Sequence, residues 1–274
     1  MSDVFLSRTG KWVLGIFFGL FLVFLYAPTI VLTVFSFNDS AVAALPFEGF
    51  TTRWYREAWN EQGVRDALVA SLKVAAGTAL IATGLGLLVS YAIARRRFAG
   101  RTAISAVVLV PLVVPTVVLG VALLVLFRPS GAVIPIPLSL WAVLIGHIVI
   151  AIPFCVLILM PRIASIDPRL EEAAEDLGAG WFTTFRKIIL PLVTPALISA
   201  LLVAFVVSID EVVIASFVVG DQVTLPVYLY SGLRFAERVM LLVPIATIMI
   251  LVSFGLVLIA ELVRRLGERR LGIR

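Results

Sequence analysis

Two adjacent acidic residues, Asp210 and Glu211, lie within an apolar stretch of the sequence that runs from residue 195 to 219. A carboxylate at membrane depth is energetically costly and usually faces the protein interior or a water-filled cavity. If the stretch is one helix, the pair lies on the order of 14 Å from its outer end, at about 1.5 Å per residue. Carboxylates in that position would stabilise a cation that crosses the membrane. Ser208 is a weaker candidate for the same path, because a serine hydroxyl also satisfies the local backbone.

Two other roles for the acidic pair stay open at this point. Adjacent residues of a helix point about 100° apart, so Asp210 and Glu211 need not line one path. One of them could pair with Lys73, a basic residue in another apolar stretch, or with a base on a companion chain. Either could also be the proton or sodium site of an ion-coupled secondary transporter.

The sequence offers little else that could do chemistry. His147 is the single histidine and Cys155 the single cysteine, and both lie in apolar stretches. An intrachain disulfide is therefore excluded, and a thiol metal site is not predicted. We interpret His147 as a packed or backbone-bonded residue. No Gly-x4-Gly-Lys-Ser/Thr phosphate loop and no His-Glu-x-x-His run occurs, so neither an enzyme nor a bound metal or cofactor is predicted for this chain.

The most specific pattern lies in a charged segment, residues 161–194, which we call the polar island. It reads Glu172-Ala173-Ala174, three residues, Gly178, nine residues, and then Ile188-Ile189-Leu190-Pro191. This charged segment lies between two apolar stretches and would be held at a membrane surface. Such a segment is suited to binding a partner protein.

Local signals predict that the polar island folds as two short helices. Asp167 and Pro168 form a helix start, because aspartate caps a helix and proline suits its first position. Residues 171–177 continue this helix with a small, mildly apolar face that includes Leu177, and Gly178 ends it. A second short helix is expected over residues 181–189, with Arg186 on its polar side.

The composition is that of a membrane protein. Of the 274 residues 61% are hydrophobic and 14% are charged, and the mean hydropathy is +1.12. Because a transmembrane helix needs about 20 mostly apolar residues, six spans are predicted. They are residues 12–35, 67–94, 102–127, 138–160, 195–219 and 239–263. We therefore expect an all-α membrane protein with a single transmembrane domain over residues 1–274, in which Pro111 and Pro115 kink the third span.

The basic residues predict the orientation. If the amino terminus is inside, the inner segments hold 15 basic residues: Arg8, Lys11, Arg95, Arg96, Arg97, Arg101, Arg162, Arg169, Arg186, Lys187, Arg264, Arg265, Arg269, Arg270 and Arg274. The outer segments hold six: Arg53, Arg56, Arg65, Arg128, Arg234 and Arg238. Cytoplasmic loops collect lysine and arginine, so both termini and the polar island are expected in the cytoplasm. This topology explains the net charge of +5 better than a nucleic-acid partner does.

The motif of the polar island resembles, at every motif position, the E-A-A-x3-G-x9-I-x-L-P loop of the permeases of ATP-binding-cassette (ABC) importers. The likeness extends almost end to end and is greatest for the spermidine/putrescine permease branch, in the second of its two permease subunits. It is carried by Ser36-Phe37-Asn38, Gly49-Phe50-Thr51, Trp54-Tyr55, residues 173–179, residues 208–217 and Leu225-Pro226.

The resemblance implies a type I ABC importer permease fold in a bacterial inner membrane. It implies four partners: a paralogous permease, an ATPase homodimer that binds ATP and Mg²⁺, an extracytoplasmic substrate-binding protein and the lipid bilayer. It also implies that Glu172 makes polar contact with the ATPase, Ala173 allows close approach and Gly178 provides a bend. The remaining residues of the implied coupling set are Ala174, Leu177, Arg186 and Pro191.

The resemblance implies an organic cation as substrate, but one position departs from the pattern. An acid is expected after the proline of the third span in polyamine permeases of this branch, whereas this chain has Thr116 after Pro115. A pathway that lacks this carboxylate would recognise a multiply charged polyamine less well, and it leaves room for a singly charged amine or another small organic cation. The ion-coupled alternative, with Asp210 or Glu211 as the coupling site, requires no ATPase and gives no reason for the spacing in the polar island.

Overall fold

A computed structural model describes residues 7–42, 46–127 and 136–270, without the side chains of Arg8 and residues 268–270. Of the basic residues used above to predict orientation, Arg128, Arg274 and the side chains of Arg8, Arg269 and Arg270 therefore lie outside the description. Within the described ranges the structure is helical, and its one β pairing is an isolated antiparallel bridge between Asn38 and Phe50.

The chain forms twelve α-helices within those ranges, with a π-helical turn and a 3₁₀ turn. The helices are α1 (Arg8–Phe35), α2 (Arg53–Asn60), α3 (Gln62–Arg95), α4 (Arg101–Val113), α5 (Thr116–Phe127), α6 (Leu140–Ala164), α7 (Arg169–Asp176), α8 (Trp181–Thr184), α9 (Leu190–Ile209), α10 (Val213–Val218), α11 (Leu225–Gly232) and α12 (Val239–Arg270). The π turn is Phe185–Ile189, and the 3₁₀ turn is Ala236–Arg238.

Five helical segments in the described part of the chain are long and apolar enough to cross a membrane. They are Thr9–Phe35, Gln62–Arg95, Leu140–Ala164, Trp181–Ile209 and Ala236–Gly267. The bent pair α4 and α5 brings the number to six if it is counted as one span. The predicted all-α membrane architecture is confirmed.

One of two compact units comprises Met1–Asn60 and Gly232–Met249. After α1 the chain turns back on α2, and Asn38 is fully buried in this turn. The Asn38 carbonyl accepts a hydrogen bond from the Trp54 indole N–H at 2.9 Å, and Ser36 Oγ lies 2.7 Å from Tyr55 Oη. The Asn38 side-chain oxygen accepts the Glu48 N–H. The polar residues after α1 and the aromatic pair of α2 therefore hold one another in place.

The other unit comprises Glu61–Ser231 and Ile250–Arg274, and its core lies between α3, α6 and α9. Small residues dominate this contact, including the fully buried Ala82 and Ala200. A Cβ atom added at Gly86 would come within 2.5 Å of Cys155 Cβ. The backbone of α3 therefore packs directly against the Cys155 side chain of α6. In a membrane the hydrophobic effect does not drive helices together, because lipid tails are as apolar as the helix surface. Helices therefore associate through close packing of this kind.

The third predicted span is broken rather than kinked. Its halves α4 and α5 meet at an angle of 104°. Val114, the residue before Pro115, has an extended backbone with φ −73° and ψ 127°. A proline ring clashes with a helical conformation of the preceding residue, which explains a complete break at Pro115. Pro111 lies inside α4 without ending it.

The fifth predicted span, residues 195–219, is wrong as a continuous helix. α9 ends at Ile209, Asp210 caps it, and α10 begins at Val213. Aspartate favours helix ends because its short carboxylate competes for local backbone bonds, and the Glu211 carboxylate accepts the Ile214 N–H at the start of α10. The depth of about 14 Å inferred from a continuous helix therefore does not apply to the acidic pair.

The polar island is also shorter than its sequence suggests. Residues 161–164 continue α6, and the helix expected over residues 181–189 is not separate from the next span. Instead α8, the π turn and α9 form one continuous apolar helix from Trp181 to Ile209. Pro191 lacks the N–H that would bond the carbonyl four residues earlier, and the wider π turn directly before it accommodates that loss.

We expect Gly86→Ala to lower stability and Gly84→Ala to leave it unchanged or raise it. The added methyl of Gly86→Ala overlaps Cys155 and costs about 1–3 kcal/mol. Gly84 is exposed on the same helix with nothing within 4 Å of an added Cβ, and alanine there gains up to about 1 kcal/mol of helix propensity. The thermal unfolding midpoint in detergent measures both; equal midpoints would refute the close α3–α6 contact.

Candidate functional site

The first helix of the polar island, α7, begins and ends as its sequence predicts. Asp167 Oδ1 accepts the backbone N–H of Arg169 at 3.0 Å. At the other end Gly178 has a φ of +80°, a left-handed conformation that favours glycine. The Gly178 N–H bonds the Glu175 carbonyl at 2.8 Å, and the Ala179 N–H bonds the carbonyl five residues earlier at 2.9 Å. These two bonds form a Schellman cap, which turns the chain sharply after α7.

Glu171 fixes α7 to the end of α3. One Glu171 oxygen lies 2.9 Å from Arg95 Nε, and the other accepts a hydrogen bond from Tyr91 Oη at 2.9 Å. Arg95 also donates to the Ile166 carbonyl at 2.7 Å, and the Trp181 indole N–H donates to Tyr91 Oη at 3.2 Å. The ion pair is largely shielded, with 9% of the Arg95 side chain and 19% of the Glu171 side chain exposed. The network therefore joins α3, α7 and α8.

Three aromatic rings reinforce this junction. Trp181 and Phe185 stack with centroids 5.6 Å apart, and Tyr91 meets the Phe185 ring edge to face, also at 5.6 Å. Aromatic pairs in these geometries stabilise beyond the area that they bury. The start of the long helix Trp181–Ile209 is thus packed on the end of α3.

The opposite face of α7 is open. Glu172 and Ala173 are exposed. Leu170 and Leu177 are also exposed, Leu177 to 89%. Leu170, Ala173 and Leu177 follow the i, i+3, i+7 spacing of one helix face. Phe182, 65% exposed, adds to the apolar surface of the polar island. Most of the predicted coupling residues therefore lie on an exposed surface that combines apolar and acidic groups.

Ala174 is different from its neighbours in the motif. It is buried, with 7% of its surface exposed, so it packs inside the permease, and its predicted contact with the ATPase stays a prediction. Arg186 is exposed on the π turn, and Pro191 is exposed at the second position of α9. Both lie on the long helix rather than on α7.

The acidic pair lies at the break between α9 and α10. Asp210 is exposed, and its Oδ1 accepts a hydrogen bond from Ser253 Oγ at 3.1 Å. Glu211 is half-buried, and its Oε1 accepts the backbone N–H of Ile214 at 2.9 Å. Glu211 therefore serves as a cap for α10, while Asp210 presents a carboxylate at the break. Within the described residues neither forms an ion pair with Lys73, so that alternative is not realised.

Ser208 and Thr116 do not join the acidic pair. Ser208 is buried, and its Oγ lies 2.8 Å from Nδ1 of His147, which is 1% exposed. This bond links α6 to the end of α9, so His147 is a packed, side-chain-bonded residue. Thr116 is half-buried at the first position of α5. α5 packs on α10, where Gly120 lies against the Phe217 ring.

The sequence did not indicate the residues that position the polar island and the acidic pair. Arg95, Tyr91 and Trp181 hold the polar island, and His147 and Ser253 hold the end of α9. Their partners are 43 to 90 positions away in the sequence, so no local spacing indicates them. Within residues 7–42, 46–127 and 136–270, no group of three His, Cys, Asp or Glu side chains is placed to hold a metal ion.

Comparison with known proteins identifies the family of this chain. A family model described as binding-protein-dependent transport system inner membrane component matches residues 82–273. The chain belongs to this permease family. It is 37% identical over 257 residues to the spermidine/putrescine transport system permease protein PotC of Escherichia coli (strain K12), covering 93% of this chain and 95% of PotC. It is 36% identical over 218 residues to the putrescine transport system permease protein PotI of the same strain, covering 77% and 76%.

Solved structures agree on the fold. This permease superimposes on a chain of a bacterial alginate ABC transporter, in complex with an alginate pentasaccharide-bound periplasmic protein, with a TM-score of 0.73. The alignment covers 94% of both chains at 18% identity, a level at which the likeness shows the fold alone. The resemblance to the spermidine/putrescine permeases and the type I ABC importer permease fold are therefore confirmed. The chain is a membrane transport subunit.

We expect Glu171→Ala to destabilise the permease and Glu172→Ala to leave its stability unchanged. The first substitution leaves the shielded Arg95 guanidinium without its carboxylate, which costs about 1–3 kcal/mol. The second removes an exposed side chain of the same type at the next position. Thermal unfolding midpoints of the two variants make the comparison. Equal midpoints would contradict the tether between α7 and α3.

Proposed function

We propose that this permease is one of two permease subunits of an ATP-driven importer that carries a small, polyamine-like organic cation across a bacterial inner membrane. In this proposal a paralogous permease forms the other half of the pathway. An ATPase homodimer docks on the polar island and binds ATP and Mg²⁺, and an extracytoplasmic binding protein delivers the substrate. No nucleic-acid partner is part of the proposal.

One observation carries the proposal: the polar island and the acidic break are the two ends of one continuous helix. The segment Trp181–Ile209 has 29 residues, or roughly 40 Å at 1.5 Å per residue. Its first residue is bonded into the Tyr91 network beside α7, and Asp210 caps its other end. A displacement imposed on the polar island would therefore move Asp210, which supports a mechanical link between docking and the pathway.

The coupling roles follow from exposure and charge. Glu172 offers a carboxylate to a basic group of the ATPase, Ala173 lets the partner approach closely, and Leu177 inserts as an apolar anchor. Gly178 lets α7 turn against the long helix, and Arg186 and Pro191 extend the surface along that helix. Glu171 is not available for docking, because it already forms an ion pair with Arg95 and accepts a hydrogen bond from Tyr91.

Asp210 is the residue that we assign to the cation. It is exposed at a break within the apolar region, whereas Glu211 is occupied by the α10 cap. Irregular backbone at membrane depth is tolerated where it is buried in protein or lines a cavity, and discontinuous helices often bind solutes. The names of PotC and PotI point to spermidine and putrescine as test substrates. Thr116, neutral at the start of α5, supplies a hydroxyl rather than a second charge.

The proposed orientation places both termini and the polar island in the cytoplasm. The excess of basic residues in the segments on that side supports it, because positively charged loops stay in the cytoplasm. In the topology that the basic residues predict, the loop between the first two spans is extracytoplasmic, the side from which the proposed binding protein would deliver the substrate.

In vesicles that contain the complete transporter, we expect putrescine uptake to require ATP and Asp210→Asn to lower kcat/KM about tenfold. A tenfold loss corresponds to about 1.4 kcal/mol of charge attraction, while asparagine still accepts the Ser253 bond. Glu57→Gln, the same neutralisation at an exposed residue of α2, is the matched control. Unchanged uptake by Asp210→Asn would refute the assigned site. Uptake driven by an ion gradient without ATP would favour the ion-coupled alternative instead.

A further inference from the structure

The break between α9 and α10, where Asp210 presents its carboxylate, is contacted by two adjacent residues of α6. His147 Nδ1 lies 2.8 Å from Oγ of Ser208, which comes two residues before Asp210. A Cβ atom added at Gly146 would lie 2.7 Å from Cγ2 of Ile214, which comes four residues after Asp210. The dipeptide Gly146-His147 therefore holds the chain on both sides of the break.

The bond at His147 lies at the end of a long antiparallel contact between α6 and α9. Near the start of α9, Arg162 donates to the Leu192 carbonyl at 2.8 Å. The separation of Arg162 from His147 along α6 matches that of their partners along α9 to within one residue. The two helices thus keep one register, which brings His147 to the last turn of α9.

The short helix α10 lies between two glycines, Gly146 of α6 and Gly120 of α5. A Cβ atom added at Gly120 would lie 2.5 Å from Cδ2 of Phe217. Ile214, the residue against Gly146, is fully buried, and its N–H donates to the Glu211 carboxylate at 2.9 Å. Because neither wall has room for a methyl group, α10 cannot shift toward α5 or α6 unless the surrounding side chains repack.

Asp210 depends on these contacts for its position. Its carboxylate accepts a hydrogen bond from Ser253 of α12, and its backbone directly follows the turn of α9 that His147 holds. The attraction between a carboxylate and a cation weakens with distance, and the loss is larger where little water screens the charges. His147 is 1% exposed and Ser208 is 3% exposed, so they act on a cation through Asp210 and not by contact.

We propose that Gly146 and His147 are positioning residues for recognition of the organic cation. They set where the break presents Asp210, and thereby how tightly the cation is bound. The inference rests on the proposed function, in which Asp210 binds the cation. It gives α6, a helix without a carboxylate of its own, a part in substrate recognition.

The test is the rate of putrescine uptake by vesicles that contain the complete transporter, measured over a range of putrescine concentrations. Ser208→Ala and His147→Leu each remove the bond at the end of α9. Both are expected to raise KM about fivefold with little change in kcat, which corresponds to about 1 kcal/mol, the usual net contribution of one hydrogen bond. His147→Asn places an amide where Nδ1 lies and is expected to restore most of the wild-type KM. Ser208→Ala and Gly146→Ala keep the test decisive if His147→Leu does not assemble.

Two control variants separate positioning from a general loosening of the helices. Ser199 is also 3% exposed, and its Oγ donates to a carbonyl of α12 at 2.8 Å. Ser199→Ala therefore removes a comparable bond of α9 about three turns before Asp210, and it is expected to leave KM unchanged. Gly146→Ala is expected to raise KM, whereas Gly86→Ala, which crowds α6 farther from the break, is not. An equal rise of KM in Ser199→Ala would overturn the inference.

A double-mutant comparison shows whether His147 acts through Asp210. In the Asp210→Asn background, His147→Leu is expected to lower kcat/KM less than about twofold, because the charge to be positioned is gone. An undiminished loss in that background would overturn this inference while the proposed cation site stands. A KM raised by Ser208→Ala but unchanged in both His147→Leu and Gly146→Ala would also overturn it, since that result identifies Ser208 as a direct contact. Unchanged uptake by Asp210→Asn alone would instead refute the proposed site itself.

Discussion

The ion pair between Arg95 and Glu171 is the contact on which the functional surface depends. It joins the end of α3 to α7, and Tyr91 extends it to Trp181, the first residue of the long helix. Without this junction α7 would be held only by its end turns and by the packing of Ala174, and isolated eight-residue helices are not stable in water. Because Glu171 points inward, Glu172 and Ala173 are presented outward. Two adjacent residues of one motif thereby take different tasks, the first structural and the second available to a partner.

Satisfaction of the backbone decides where the spans are continuous and where they break. The helix from Trp181 to Ile209 passes through Pro191 and Pro195 by way of a π turn, so it remains a single rod. It stops where Asp210 caps its end and Glu211 caps the next helix. The break is held on one side by the His147–Ser208 bond and on the other by Ser253. A continuous helix that begins in the polar island and ends at these contacts supports the proposed mechanical link between docking and the pathway.

The extent to which the sequence predicts this structure differs by element. The start and end of α7 follow from Asp167, Pro168 and Gly178 because capping is local chemistry. Hydropathy predicts the five long apolar segments, and it agrees with a sixth span if the bent pair α4 and α5 is counted as one. The family follows from the fixed spacing of the motif. In contrast, hydropathy does not reveal the helix breaks at Pro115 and Asp210, because the segments on both sides of each break are equally apolar.

The contacts between distant residues were beyond the reach of the sequence alone. Nothing in the local pattern separates Glu171 from Glu172, and only the position of Arg95 in space assigns the first to the tether. The same holds for Ala174, which the motif groups with Ala173 but which the fold buries. It also holds for Ser208, whose hydroxyl lies 2.8 Å from Nδ1 of His147 on α6, a contact that no local pattern indicates.

Photo-cross-linking from position 177 tests the central claim most directly. Leu177 would be replaced by p-benzoylphenylalanine in the complete transporter. The control carries the same group at Val42, which is 63% exposed and lies in the loop proposed to be extracytoplasmic. The account predicts a cross-link from position 177 to an ATPase subunit and none from position 42. Cross-links from position 177 to lipid alone, with the ATPase present and active, would contradict the assignment of the polar island as the docking surface.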